Sequence, residues 1–568
     1  MARHPELALD AAMQSRWNDE EAARWATGTP EAPDLGLRVY TSRLLGARRD
    51  LVLHGGGNTS VKLVLPDALG DAEPLLLVKG SGRNLASVER DDFSAVRLGP
   101  ARRLLALDDL DDERLLRALT PMLARAGSPK PSIETLLHAA LPAAFVEHTH
   151  ADAVLAVVNT DGGPRIAREL FGDLAPLVPF HPSGFALAKA CARVFHEQAT
   201  SATIGLILLH HGVVAFGDSA RASYENMLRL VGRAQEYLAA RGAWELPGEA
   251  AAFKPVDPLR VARLRREVCA AAGFPLLMRR LDGEAWQAYA RRADLAALSA
   301  EGPATPQHAV FIKREPLLGT DAAEYARRYR AYVAAARPGA ALADLGLDPA
   351  PRAVLDPVLG VWVAGISPHY LEVTAEILTQ DREIKTRAAA HDRYRGLPPA
   401  AILEAELHYG GFERKLRESG AATLLGEAAV VMGRDANAQA LCEALARGGA
   451  AVTCLPAIDQ AALCEQVRRF GGLDLLALVD GGEECIDACA ALLALAPRGG
   501  RILAVQANDA GFLRRLTTRA RAHRIATVQI RVRAKRTLSP VQADLATRLC
   551  DPMLAREAPA LALDGGDD

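Results

Sequence analysis

The sequence is short of aromatic residues, net charge, paired cysteines and long apolar runs, and each shortage excludes something. Aromatics are 5% of 568 residues. The hydrophobic half of the chain therefore rests on Ala and Leu, as in a helix-rich α/β protein. The formal net charge is −2, from 67 basic and 69 acidic residues. No global electrostatic case exists for nucleic acid or for an anionic membrane surface. No stretch approaches about 18 uninterrupted apolar residues, so no membrane span is expected. Met1 to Asp19 is mixed and charged and has no apolar signal core. Eight cysteines are spread thinly and form no CxxC pair. Cys485 and Cys489 read as small core residues on one helix face. A reducing, cytoplasmic compartment fits this usage.

What is present suggests several regions, because the chain is too long for one ordinary core. Residues 1–35 are charged and Pro-containing, a helix and a linker. Across 36–245, apolar runs alternate with helical patterns. Leu75 to Val78, Ala143 to Val146 and Ile204 to Leu209 read as strands, and Ser132 to Leu141 and Ala220 to Leu238 as helices. Residues 246–425 carry Arg and Ala at helical spacing, with loops near 302–307 and 348–357. Arg260, Arg263, Arg265, Arg266, Arg279 and Arg280 read as solvated helix surface. Residues 426–556 alternate strand and helix in a doubly wound pattern, with strands at Ala428 to Met432, Ala450 to Leu455, Leu473 to Val479 and Arg501 to Val505. Residues 557–568 are small and acidic, a disordered tail.

The chemistry concentrates in residues 36–245. His148 and His150 stand one residue apart at the end of an apolar run, so strand alternation would aim both imidazoles to one side. His211, after a second apolar run, could supply a third nitrogen. Three protein ligands and an open position suit a catalytic zinc. Glu134 could move protons beside it. Ser132 reads as a helix N-cap, which would set Glu134 in the first helical turn. A His-x-His pair alone is more often two satisfied core residues than a pair of ligands, and the surroundings shift that balance. Two Gly-rich turns lie upstream, His54 to Ser60 and Lys79 to Gly82. Such turns can offer backbone N–H groups and hydroxyls to an anion, or simply turn the chain.

Taken in order, His54 to Ser60, Lys79 to Gly82, Pro131 to Glu134, His148 to Asp152 and His211-Gly212 resemble the motifs of the class II aldolase/adducin family. The likeness runs over about residues 30–240 and weakens beyond. It extends to long bacterial members that fuse the aldolase to a short-chain dehydrogenase, which also share the look of Gly302 to Pro306. The resemblance implies a zinc held by His148, His150 and His211, with Glu134 as general base. It prefers His211 over His210, which stands before the His-Gly position. It assigns the substrate phosphate to Asn58, Ser81, Gly82 and Ser132. Ile133 replaces a serine found in small fuculose-phosphate aldolases, which argues for a modified phosphate pocket. Lys79 could add charge to that pocket or be a solvated strand-edge lysine. His138, His181 and His196 match no role, although the loop at His181 to Gly184 could meet the aldehyde half of a substrate.

The implied reaction is cleavage of a ketose 1-phosphate, in the long members rhamnulose 1-phosphate, to dihydroxyacetone phosphate and lactaldehyde. The implied assembly is a homo-oligomer. Epimerases and decarboxylases share the scaffold, and adducin uses it without catalysis. Residues 426–556 resemble the fused dehydrogenase without its chemistry. The first turn, Gly433-Arg434-Asp435, holds one glycine where a pyrophosphate needs several. The last tyrosine of the chain is Tyr409, so the Tyr-x-x-x-Lys pair has no tyrosine. A degenerate Rossmann-like domain with no NAD(P) is expected.

Overall fold

The computed structural model describes residues 13–531 apart from 30, 68, 247–255, 421, 480–481, 483–484 and 507–509. The tail at 557–568 lies outside the described residues. By compactness they divide into two units. One takes the described residues up to Leu246, with Glu301–His308 and Thr379–Ala401, and the other takes the rest. Both added segments come from the 246–425 stretch.

The first unit is built on seven strands: β1 (Asn58–Pro66), β2 (Ala72–Lys79), β3 (Phe93–Arg97), β4 (Phe145–Thr149), β5 (Leu177–Val178), β6 (Gly205–Leu208) and β7 (Gly212–Gly217). Their order is β3-β2-β1-β4-β7-β6-β5, and every pairing but β5–β6 is antiparallel. Strand alternation divides the side chains between two cores. Ile207, Val213 and Ala215 join Leu155, Met227 and Val231 from the helices Asp152–Val158 and Ala220–Ala239. Leu206, Leu208 and Val214 join Leu136, Leu187 and Val194 from the helices Thr135–Ala140 and Phe185–Gln198. The sheet is covered on both faces. Each such Leu or Val contributes about 1.5–3 kcal/mol of transfer free energy.

The second unit holds two sheets. β8 (Leu277–Leu281), β9 (Leu317–Leu318), β10 (Ala353–Asp356) and β11 (Gly360–Gly365) pair in the order β8-β11-β10-β9. The stretch is helical as read, and this small sheet is an addition to that reading. Its strands are two to six residues long, and β8 reads Leu-Met-Arg-Arg-Leu, which carries no clean alternation. Arg279 and Arg280 therefore lie on a strand and not on a helix. Arg265 is on a helix but fully buried. It donates to both carboxylate oxygens of Asp474, at 3.2 and 2.6 Å, and to the carbonyls of Leu276 and Gly426. It is an internal strut, and the even spread of acidic residues in the sequence hid it.

The second sheet of this unit is fully parallel: β12 (Ala428–Met432), β13 (Ala451–Leu455), β14 (Leu475–Val479), β15 (Arg501–Gln506) and β16 (Ala526–Arg531). The order β13-β12-β14-β15-β16 is the flavodoxin-type order of the doubly wound class. Cys442 on the helix Ala436–Arg447 and Cys454 on β13 stand side by side, with Cα atoms 6.6 Å apart. Their spacing in the sequence, twelve positions, gave no sign of this contact. No described helix is long and apolar enough to cross a membrane.

Candidate metal centre

Three neighbouring strands assemble the centre. β1 and β4 place Asn58 opposite His148, and β4 and β7 place His148 opposite Val214. His148 sits on β4, and His150 follows its end. His211 stands in the short turn Leu209–His211 between β6 and β7. That turn is tight. His210 has φ +55°, and a Cβ on Gly212 would meet the Thr149 carbonyl oxygen at 2.1 Å. Only glycine lets β7 approach β4 closely enough to bring His211 to the other two. Gly57, at φ +62°, plays the same part for β1, since a Cβ there would meet the His148 carbonyl oxygen at 2.6 Å.

The three imidazoles are buried, and one ligand atom from each lies within 4.8 Å of the others. His148 Nδ1 donates to the Val213 carbonyl at 3.1 Å, which leaves its Nε2 as the lone-pair nitrogen. That Nε2 is buried and has no hydrogen-bond partner among the described residues. Burial pushes His148 down to about 4 and holds His150 well below the ordinary imidazole range. Both are neutral at pH 7, the form that binds a metal. Three clustered imidazoles and an orphaned buried lone pair fit a divalent transition metal of the zinc type.

Glu134 is buried beside them. Its Oε1 is 3.0 Å from His211 Nε2, and its Oε2 is 3.9 Å from His148 Nε2. Asn58 Nδ2 donates to Oε2. Burial opposes ionisation of this carboxyl, but the surrounding imidazoles outweigh it and hold the group well below the usual carboxylate range. The helix starts later than the sequence reading placed it. It spans Thr135–Ala140, with Glu134 itself at the cap position. Ser132 Oγ accepts instead from the Glu134 N–H at 3.2 Å, closing a local turn before the helix.

The residues read as phosphate contacts divide. Asn58 and Ser132 are buried against Glu134 as described, whereas Ser81 and Gly82 are exposed in their turn. The Ser81 N–H is spent on the Lys130 carbonyl at 2.9 Å. The two Gly-rich turns touch, because a Cβ on Gly55 would meet Gly82 Cα at 3.2 Å. Lys79 is no solvated edge residue. It is buried, and its ammonium donates to the Gly55 carbonyl at 3.0 Å and the Arg83 carbonyl at 2.7 Å, tying the two turns together. Burial lowers its pKa to about 8, against the pull of Glu134.

Of the remaining histidines, His138 is buried with Nδ1 at 2.8 Å from Ser60 Oγ, His196 is exposed, and His181 is half-buried. His210 packs edge-on to Phe180. Sequence reasoning missed Gln307. Its Oε1 is 2.7 Å from His150 Nδ1, across 157 residues of chain. The only signal was that it follows Gly302 to Pro306, a stretch singled out for its appearance and given no role.

Residues 37–238 match the class II aldolase and adducin N-terminal domain, and residues 256–415 match the aldolase class II second domain. The chain thus carries the two class II aldolase domains in sequence, with the three histidines and Glu134 inside the first. It is 32% identical over 314 residues to a Bacillus subtilis protein described as an uncharacterized oxidoreductase, YuxG. That match covers 53% of this chain and 43% of the relative, so the chain spans less than half the length of that protein. The N-terminal class II aldolase domain of a conserved Thermoplasma acidophilum protein is 33% identical, covering 42% of this chain and 100% of its own, at a TM-score of 0.34. A sugar-phosphate aldolase from Thermotoga maritima is 16% identical, covering 37% and 97%, at a TM-score of 0.27.

Proposed function

We propose that the chain is a metal-dependent aldolase that cleaves a ketose 1-phosphate, rhamnulose 1-phosphate by preference, to dihydroxyacetone phosphate and lactaldehyde. The observation that carries this reading is Glu134, an ionised buried carboxylate 3.0 Å from one of three clustered imidazoles. Retro-aldol cleavage breaks the C3–C4 bond. The C4 hydroxyl loses a proton, its oxygen takes up a double bond to C4, and the electron pair left on C3 finally captures a proton. A zinc-type ion held by His148, His150 and His211 would supply Lewis acidity to the substrate oxygens.

The protein's own groups do the rest. Glu134 is the carboxylate within reach of the reacting hydroxyls and carries the proton. Asn58 holds its Oε2 and fixes its direction. The touching Gly-rich turns, braced by Lys79, form the surface that faces the phosphate, with Ser81 and Gly82 at its exposed rim and Asn58 and Ser132 at its inner end. A cytoplasmic homo-oligomer that takes no nucleic acid and no NAD(P) belongs to the same reading. For the C-terminal sheet, the support is Asp435. Its carboxylate accepts from the Ala438 N–H at 2.9 Å and fills the helix N-terminus where a pyrophosphate would sit.

Product analysis tests the reaction. The metal-loaded protein is incubated with rhamnulose, fuculose and ribulose phosphates, and products are resolved by NMR. Triose phosphate and an aldehyde support the aldolase. A ketose epimer, or carbon dioxide from a carboxylated sugar phosphate, replaces it with the epimerase or decarboxylase reading. No turnover with bound metal supports a binding protein.

A further inference from the structure

The segment Gly302 to His308 belongs to the same compact unit as the metal centre. It is firmly seated there. The Ala304 N–H donates to Asp381 at 3.0 Å, and Asn159 Nδ2 donates to the Ala304 carbonyl at 2.9 Å. Tyr394 donates to the Gly302 carbonyl at 3.1 Å. Gln307 then makes two hydrogen bonds that determine each other. Its Nε2 lies 3.0 Å from the Leu53 carbonyl oxygen, and its Oε1 lies 2.7 Å from His150 Nδ1. A backbone carbonyl only accepts, so the amide NH2 must face Leu53. The amide oxygen then faces His150, and it too only accepts. His150 Nδ1 must therefore carry the proton, and Nε2 must carry the lone pair.

We propose that Gln307 is a positioning residue that locks the tautomer and ring rotation of His150 as a metal ligand. The metal affinity of the first aldolase domain then depends on a side chain within the stretch matched by the second, residues 256–415. His148 obtains the same lock from a backbone carbonyl of its own sheet, Val213. His150 lies past the end of β4, has no such strand neighbour in its bond, and receives the lock from Gln307. Gly56 makes room for it, because a Cβ there would come within 2.5 Å of the amide oxygen. Part of the Gly-rich turn thus serves the metal centre and not an anion. Outer hydrogen bonds of this kind typically matter by about 10–100-fold in metal affinity.

The inference rests on the three imidazoles being a metal centre, and the experiment separates the two. Zinc is titrated in competition with a chromophoric chelator into the full-length wild type, Gln307→Met, Gln307→Leu and Gln307→Glu, with the visible absorption of the cobalt forms recorded beside it. Methionine and leucine keep bulk, but leucine accepts no hydrogen bond from His150 and the methionine thioether only a weak one. Glutamate accepts it and gives up the bond to Leu53. The apolar variants should bind about 10–100-fold more weakly with an altered cobalt spectrum, while the Glu variant should stay within about threefold of wild type. Equal loss in all variants would make bulk or the Leu53 bond the cause and overturn the proposal, as would no loss in any. If the apolar variants do not fold, the Glu variant decides alone: retained affinity supports the lock and loss overturns it. A wild type that binds no zinc would instead remove the metal reading itself.

Discussion

Glu134 Oε1 and His211 Nε2 lie 3.0 Å apart, a buried carboxylate joined to one imidazole of a three-imidazole cluster. The pair comes from a helix cap and a strand turn 77 positions apart, and it joins the acid–base group to the ligand set. Removing the base without removing its shape should therefore leave the cluster in place. In Glu134→Gln, the amide oxygen can still accept from Asn58, but the side chain cannot take a proton. Cleavage should fall about 10²–10⁴-fold with the metal retained. Turnover and elemental analysis on the same preparation check this, and a near-parental rate would remove Glu134 from the role of base.

The alternation that aims His148 at the centre aims Glu147 the other way. There it meets Arg38 in a fully buried ion pair, with Ser223 Oγ donating to it at 3.0 Å. Arg38→Met would strand that carboxylate without its cation. Loss of one partner of a buried pair costs about 3–5 kcal/mol. The urea midpoint should drop clearly, and the double variant Arg38→Met with Glu147→Leu should recover much of the loss. A single variant as stable as the parent would contradict the pairing.

Glu406 gives a pH dependence outside the metal centre. It is buried, accepts from the Tyr329 hydroxyl, and is pushed up to about 7 by burial against the pull of Lys313. In the unfolded chain a Glu ionises near about 4.3. Between these values the folded state holds the extra proton, so stability is full below the lower value and lost as pH rises through about 7. Urea midpoints of wild type and Glu406→Gln, measured from pH 5 to 8, should diverge as the pH rises, with only the wild type losing stability from this group. Parallel profiles would assign the slope to other groups.

How much of this was legible follows from the range of each signal. His148, His150, His211 and Glu134 were readable because each sits at a local pattern: an apolar run, a His-Gly turn or a helix start. The strands that carry them were readable for the same reason. The four-stranded sheet was not, since strands as short as Leu317–Leu318 have no period to detect. Arg265 was misread and Gln307 missed because their roles are set by partners far away in the chain, whereas Lys79 was left between two readings. Arg265 meets Asp474 209 positions on, and Gln307 meets His150 across 157. Charge and spacing alone describe such residues as surface.

The C-terminal sheet should not bind a nicotinamide dinucleotide. Asp435 already satisfies the Ala438 N–H at the N-terminus of the helix that follows β12. A diphosphate there would meet a fixed negative charge. Calorimetric titration with both oxidised dinucleotides should give no heat beyond dilution, and lactaldehyde should cause no absorbance change. Stoichiometric micromolar binding would overturn this expectation.

The central claim is that His148, His150 and His211 hold a metal on which cleavage of a ketose 1-phosphate depends. Its most direct test is the release of dihydroxyacetone phosphate from rhamnulose 1-phosphate by one preparation in three states: as purified, after chelation and dialysis, and after return of one equivalent of zinc. The expected result is cleavage, loss of cleavage with the fold intact, and recovery, with His148→Ala failing to recover. Cleavage that survives complete metal removal, or a stoichiometrically zinc-loaded protein that releases no triose phosphate from any ketose 1-phosphate, would contradict the account.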